Sequence, residues 1–411
     1  MKCNDGQITK NTKKAEIFNK YFASTNKAQP RKQLDQAFSR ILRELEKSPT
    51  ANCQVFDTPF TAQEFNSALK KLKARKSPGP DKITNEMIQG LGKEAKNHVL
   101  NFINLTWSTG DIPYEWRTAN IIPILKKHKP PTDPKSYRPI SLTSNLGKLA
   151  EKMINNRLYW WLEHTRTLSN SQAGFRKASR TEDHLFRFMQ DTVEGFEDGK
   201  HTTAVFIDLQ QAYDRVWRKG LYLKMRKIGI HGKMYNWIKA FLSNRTIQTR
   251  YEGAISSKKT LEEGLPQGSA LSCTLFLIFV NDLPDLISVN KALYADDLLI
   301  WVTEKYPVLT RVKLNRALTT ISTFTKLWKM ELNKEKTVYS IFSHSNKMAK
   351  KMYNLKIDSI QIKKEENPTY LGVKIDQRLS LKYFIADLKE KATQRINLIK
   401  HLAGTSWKRK L

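Results

Sequence analysis

Hydrophobic and polar positions along this chain follow two periods, one of about 3.6 residues and one of two. Thr61-Ala62-Gln63-Glu64 has the form of a capping box, and Phe65, Ala68, Leu69 and Leu72 follow at helical spacing. The pattern predicts a helix that stops before the turn-rich loop Ser77-Pro78-Gly79-Pro80. Residues 119–125 read as a strand, with Pro123 arguing for a sheet edge because proline has no N–H to give to a ladder. Ser144 to Leu162 reads as a helix with Leu149, Met153, Leu158 and Leu162 toward a core. Leu185, Phe188 and Phe196 mark another that ends near Gly199. Thr203 to Asp208 is a β-branched and aromatic run, predicted to be a buried strand with its carboxylate at one end. Leu271 to Val280 reads as a buried helix; its apolar run is far too short to span a bilayer. From Leu381 to Ala403, residues Phe384, Leu388, Ile396, Ile399 and Leu402 mark one helical face, with Lys389, Lys391, Arg395 and Lys400 on the others. Residues 1–56 are polar and basic, with short helical patterns such as Ala15 to Phe22, and read as a connector.

One stretch breaks the alternation. Ala292 to Trp301 carries Asp296 and Asp297 side by side between apolar runs. Side chains alternate across a strand, so neighbouring carboxylates fit the tip of a hairpin better than the middle of a half-buried strand. Carboxylates held close repel each other unless cations lie between them, and magnesium suits an all-oxygen site. Asp208 offers a third carboxylate from a separate strand. Such a set can hold two ions about 4 Å apart, the arrangement used for in-line phosphoryl transfer. A lone Asp-Asp dipeptide is more often an exposed turn and a lone strand-end Asp a cap; the combination favours the metal reading. Tyr213 follows Asp208 by five positions. Its ring could lie under a nucleotide sugar and reject a 2′-hydroxyl, or it could be a core aromatic.

Composition narrows the partner. The 411 residues include 71 lysines and arginines against 39 acids, for a formal net charge of +32 and a pI of about 9.9. The bases are scattered, which favours an extended nucleic-acid channel over a basic arm; an anionic membrane is the rival, disfavoured because the sequence shows neither a lipidation motif nor a strongly amphipathic basic terminus. Cys3, Cys53 and Cys273 lie far apart, with neither zinc-ligand nor disulfide spacing, and read as reduced intracellular thiols. The first residues are polar and do not resemble a secretory signal.

Tyr294-Ala295-Asp296-Asp297, together with Asp208 and the following Ala212-Tyr213, resembles the palm of a reverse transcriptase. Other blocks agree in order. Residues 76–81 (Lys-Ser-Pro-Gly-Pro-Asp) resemble an upstream block of non-LTR retrotransposon enzymes. Residues 137–142 (Tyr-Arg-Pro-Ile-Ser-Leu) and 172–176 (Gln-Ala-Gly-Phe-Arg) resemble finger blocks. Residues 264–269 (Gly-Leu-Pro-Gln-Gly-Ser) resemble the block between the acid motifs, and 370–373 (Tyr-Leu-Gly-Val) the hairpin after the palm. Across roughly residues 5–408 the ordered set resembles the jockey-like group of LINE-type elements.

The resemblance implies an α+β, right-hand polymerase. It would have an N-terminal connector (1–56), fingers with an N-terminal extension (57–200), an antiparallel-sheet palm (201–345), and a post-palm hairpin with a partial helical thumb (346–411). It implies RNA-directed DNA synthesis by transfer from a dNTP to a primer 3′-hydroxyl, in target-primed copying of element RNA. Asp208, Asp296 and Asp297 would bind two Mg2+ ions, with Mn2+ as a substitute, and Lys336 would act as general acid, with Lys334 the alternative. Arg138 would bind the triphosphate with Lys126 or Lys135. Tyr213 would gate the sugar; Gln267 and Gly268 would position template and nucleotide. Expected partners are an RNA template, a DNA primer or nicked target DNA, and dNTPs, with no membrane; the expected location is nucleus and cytoplasm. Cys273 stands where the family usually has proline. LINE-type enzymes normally carry an endonuclease before the region matching residue 5 and continue past the thumb helix, so the chain reads as a truncated frame. The alternative is a catalytically weak or inactive nucleic-acid-binding remnant. An intron-type or telomerase-like enzyme is a further rival, disfavoured by the blocks at 76–81 and 137–142.

Overall fold

The computed structural model describes residues 2–3, 6–7, 10–27, 30–49, 53–127, 129–177 and 179–403. Helices and sheets form an α+β chain that divides into two units interleaved in sequence. The first comprises Met1–Ser169, Gln211–Asp282 and Lys326–Glu331; the second comprises Asn170–Gln210, Leu283–Thr325 and Leu332–Leu411.

The second unit is built on a sheet with strand order Lys363–Lys364, Val338–Phe342, His201–Asp208, Asp297–Glu304, Asn290–Tyr294. Pairing is antiparallel except between the first two strands. The central strand is buried from His201 through Ile207, as its β-branched and aromatic run predicts, and only Asp208 at its end is partly open. One face packs Ala204, Phe206, Leu299 and Trp301 around Phe188 of the helix Thr181–Glu197, with Phe342 and Tyr370 in the same cluster. Because side chains alternate, Asp208 and Asp297 continue that face at its open end.

In the first unit, residues 1–56 hold more than a connecting segment. The helix Asn11–Thr25 buries Phe18, Phe22 and Ala23 against Ala119, Ile121, Tyr137 and Ile247. Those last residues belong to a sheet ordered Tyr137–Leu142, Thr118–Leu125, Arg245–Tyr251, Ala254–Ile255, with Lys259–Leu261 also paired to Arg245–Tyr251. Pro123 therefore does not mark an edge strand throughout. Residues 118–121 are paired on both sides, while Pro123 lies beyond the reach of Arg245–Tyr251 and pairs only with Pro139. The missing N–H falls where the far side of the strand has no partner.

Thr61 caps the helix Ala62–Lys70 in a capping box with Glu64. Glu64 also holds Arg157 of the helix Asn145–His164, with Nε–Oε1 at 2.6 Å and Nη2–Oε2 at 2.8 Å. The helix Ala270–Val280 is apolar on all sides, and all its residues but Ala270 and Cys273 are buried. The helix Lys382–Ala403 forms as predicted, but Leu388, Ile396 and Ile399 on its apolar face are exposed at 54%, 49% and 63%. The side chains of Cys3 and Leu402, and residues 404–411, lie outside the described residues. Among the described residues no helix is long and apolar enough to cross a membrane, and Cys53 and Cys273 are free thiols.

Candidate functional site

The acid pair sits at the tip of a hairpin. Tyr294 pairs with Asp297, leaving Ala295-Asp296 as a two-residue turn. Ala295 has φ of 56° and Asp296 does not share the positive region, the φ pattern of a type II′ turn, which normally takes glycine first. Asp297 lies directly opposite Asp208 in the antiparallel register. The three carboxylates therefore come from two adjacent strand ends, Asp208 and Asp297, and from the turn that leads into the second of them, all in the second unit.

A third segment closes over this end. Leu332 bridges to Leu209, and the backbone N–H of Asn333 donates to the Asp208 carbonyl at 2.8 Å. The loop then enters the strand Val338–Phe342, which pairs with the Asp208 strand. That geometry sets Asn333 Nδ2 2.8 Å from Asp208 Oδ2 and Lys336 Nζ 3.4 Å from the same oxygen. Lys334, the alternative to Lys336, points to Asp358 at 3.6 Å instead. The Lys336 side chain is 69% exposed, so its attraction for Asp208 is screened by water.

The remaining charge is poorly compensated. Burial, then the neighbouring Asp296 and Asp208 charges, push the Asp297 carboxyl up to about 6 against the pull of Lys336. Burial and Asp208 raise Asp296 as well, opposed by its own backbone N–H and by Lys336. Among the described residues no group of three or more His, Cys, Asp and Glu side chains is arranged to hold a metal ion alone. The donor set fits a hard cation that completes its shell with substrate phosphates and water, as magnesium commonly does, rather than a closed protein cage.

The other expected site residues belong to the first unit. Tyr213 is half-buried, with its ring stacked on Phe276 at 4.9 Å between centroids and 18° between planes. Gln267 donates from Nε2 to Asp214 Oδ1 at 2.8 Å. The loop before it lies against the Tyr213 segment: Leu265 N–H donates to the Tyr213 carbonyl at 2.8 Å, and Gly264 N–H to Val216 at 2.9 Å. A Cβ on Gly264 would sit 2.5 Å from the Asp214 carbonyl oxygen, and its φ is +85°, so both space and conformation require glycine. Gly268 is exposed at the following turn. Arg138 is exposed opposite Ile124, and its guanidinium has no partner among the described residues. Lys126 Nζ donates to the Lys135 carbonyl at 2.8 Å.

Residues 124–375 match the family described as "Reverse transcriptase (RNA-dependent DNA polymerase)". The chain belongs to the reverse transcriptase family. All the site residues above lie within the matched stretch. The chain is 31% identical over 352 residues to a probable RNA-directed DNA polymerase from transposon BS of Drosophila melanogaster, covering 84% of this chain and 39% of the relative. It is 30% identical to the RNA-directed DNA polymerase from mobile element jockey of the same species, over 80% of this chain and 36% of the relative. The jockey polymerase of Drosophila funebris is 32% identical over 82% of this chain and 37% of the relative. The chain thus spans well under half the length of these curated relatives.

For this reverse transcriptase family member, the sequence reading missed two residues, one beside the acids in the second unit and one beside Tyr213 in the first. Asn333 lies three positions before Lys336 in sequence, but only folding brings its amide to Asp208. Asp214 sits next to Tyr213, yet its partner Gln267 is 53 positions away. An acid directly after an aromatic was the only signal in the sequence; its role was not visible. The Gln-Ala-Gly-Phe-Arg block at 172–176, read as part of the fingers, lies in the second unit and contacts the acid hairpin.

Proposed function

We propose that the chain is the polymerase core of a non-LTR retrotransposon reverse transcriptase with right-hand architecture. In this reading the fingers span residues 57–200, the palm 201–345, and the post-palm hairpin and thumb begin at 346. The observation that carries it is the direct register of Asp208 and Asp297 with Asp296 in the adjoining turn, inside a region that matches the family. Asp208 and Asp296 would be the principal ligands of two Mg2+ ions, with Asp297 adding negative field. Bound magnesium would lower the pKa of the primer 3′-hydroxyl and neutralise charge on the triphosphate.

The chain's own residues have distinct roles. Arg138 offers a planar fork for phosphate oxygens, with Lys126 as a second cation. Tyr213 would exclude a sugar carrying a 2′-hydroxyl, and Gln267 and Gly268 would bear on the templating pair. Lys336 would donate a proton to the leaving pyrophosphate after the 3′-oxygen attacks the α-phosphorus. Partners would be element RNA, a DNA primer at a nicked target and dNTPs, engaged in the cytoplasm and nucleus.

Primer extension on an RNA template with dNTPs and Mg2+ tests the reading. Wild type should extend; Asp296→Asn should lose extension by roughly a thousandfold or more while RNA binding survives, because a metal ligand is lost. Equal extension by both would rule out the site. Absence of extension in both, with tight RNA binding retained, would favour a binding remnant.

A further inference from the structure

The turn that carries the acids is not held by its own hairpin alone. Ala295 is an alanine where a II′ turn favours glycine. What surrounds it is a second segment, residues 171–174, laid alongside the strand Asn290–Tyr294. Leu293 N–H donates to the Ser171 carbonyl at 2.8 Å, and Ala173 N–H donates back to the Leu293 carbonyl at 3.0 Å. Gln172, bridged to Leu293, is 2% exposed. Its side chain reaches into the turn. Oε1 accepts from Ala295 N–H at 3.0 Å and from Gly174 N–H at 2.8 Å, and Nε2 lies 3.5 Å from the Ala295 carbonyl. The loop is pressed onto the turn: a Cβ on Gly174 would lie 2.2 Å from Ala295 N and 2.9 Å from the Tyr294 carbonyl carbon. Neither atom can move without moving Asp296 or its hairpin.

We infer that Gln172 is a positioning residue that fixes the Ala295-Asp296-Asp297 turn through its side-chain amide. The inference rests on the proposed role of these acids as metal ligands, and extends it to the group that orients them. Without Gln172, the Ala295 N–H would be a buried donor with no acceptor, and the left-handed alanine would have little to hold it. Groups that orient metal ligands are typically worth ten- to a hundredfold in affinity or activity. The amide does not touch substrate; its effect passes through the turn.

Two substitutions separate orientation from bulk. Gln172→Met fills similar space without accepting a hydrogen bond. Gln172→Glu keeps an acceptor for both N–H groups. Hydrogen exchange by mass spectrometry on the segment 290–297 reads the turn, and the central-strand segment 201–207 reads the fold. Titration with Mn2+ alone, followed by electron paramagnetic resonance, reads the metal site. Gln172→Met should speed exchange at 290–297 and weaken Mn2+ by roughly ten- to a hundredfold, with 201–207 unchanged. Gln172→Glu should restore protection of the turn. Wild-type exchange at 290–297 in Gln172→Met would overturn the inference, as would equal loss of protection at 201–207. If wild type and Asp296→Asn take up Mn2+ alike, the metal reading fails, while exchange at 290–297 still decides the role of Gln172.

Discussion

Asp214 carries a pH dependence of its own. Burial pushes its carboxyl from 3.8 to about 6, against the Gln267 hydrogen bond and the Arg215 charge. The folded chain therefore holds this proton more tightly than the unfolded chain. The stability it contributes is full below about pH 4 and is lost as pH rises through about 6. Asp296 and Asp297 are raised too, and act in the same direction. Asp214→Asn should flatten part of the decline in melting temperature between about pH 4 and 7. Thermal melts across that range check it; an unchanged slope would contradict the raised carboxyl. Tyr213 supports a second expectation at this scale. Its ring is braced on Phe276, so Tyr213→Ala opens space rather than letting the ring swing aside. Preference for dNTP over rNTP should fall by roughly tenfold or more, in line with the ~1–3 kcal/mol that pocket shape commonly supplies. Unchanged discrimination in steady-state extension would refute the gate.

At the scale of elements, residues with local causes behaved as their patterns predicted. The capping box at Thr61-Glu64 formed because both partners lie within one turn. Folding gave Glu64 a second role, since it also binds Arg157, 93 positions away, on a guanidinium that lies 3.9 Å over the Phe60 ring. Glu64→Ala should cost about 1–3 kcal/mol, from the cap and the two-point ion pair together. Arg157 keeps the Thr58 and Pro59 carbonyls, which limits the loss. Urea unfolding with an unchanged midpoint would show that the joint role is empty. The acid hairpin was legible for the same local reason, since two apolar runs meeting at Asp-Asp specify a tip. The edge reading of the strand at 118–125 holds at Pro123 but fails at residues 118–121, because whether a position has a neighbour on each side depends on how far Arg245–Tyr251 runs alongside.

Across the whole molecule, charge is the dominant statement. A net +32 spread over the chain favours phosphate contacts that release counterions. The run Lys70, Lys71, Lys73, Arg75 and Lys76 is exposed throughout, as a phosphate-tracking surface requires. RNA affinity should fall by roughly a thousandfold between about 50 and 200 mM salt if several phosphates are neutralised. Filter binding across that range measures it, and a flat response would exclude such a surface. The division of the molecule was hidden from sequence: each unit gathers segments that are far apart in the chain. The first 56 residues read as a connector because their apolar positions are sparse, yet Phe18 and Phe22 suffice to seat the helix Asn11–Thr25.

The sequence by itself determined the features that depend on neighbours in the chain: Asp208 at a strand end, Asp296 and Asp297 at a hairpin tip, Tyr213 five positions after Asp208, and the ordered blocks that mark a reverse transcriptase. Backbone periodicity and turn preference act over a few residues, so those features leave a local record. Only the tertiary structure decided what holds the acids. Asn333 meets Asp208 across 125 positions, Gln172 meets Ala295 across 123, and Gln267 meets Asp214 across 53. A hydrogen bond requires two atoms within about 3 Å at a suitable angle. Nothing in an isolated Asn or Gln says which distant strand end will supply the other atom.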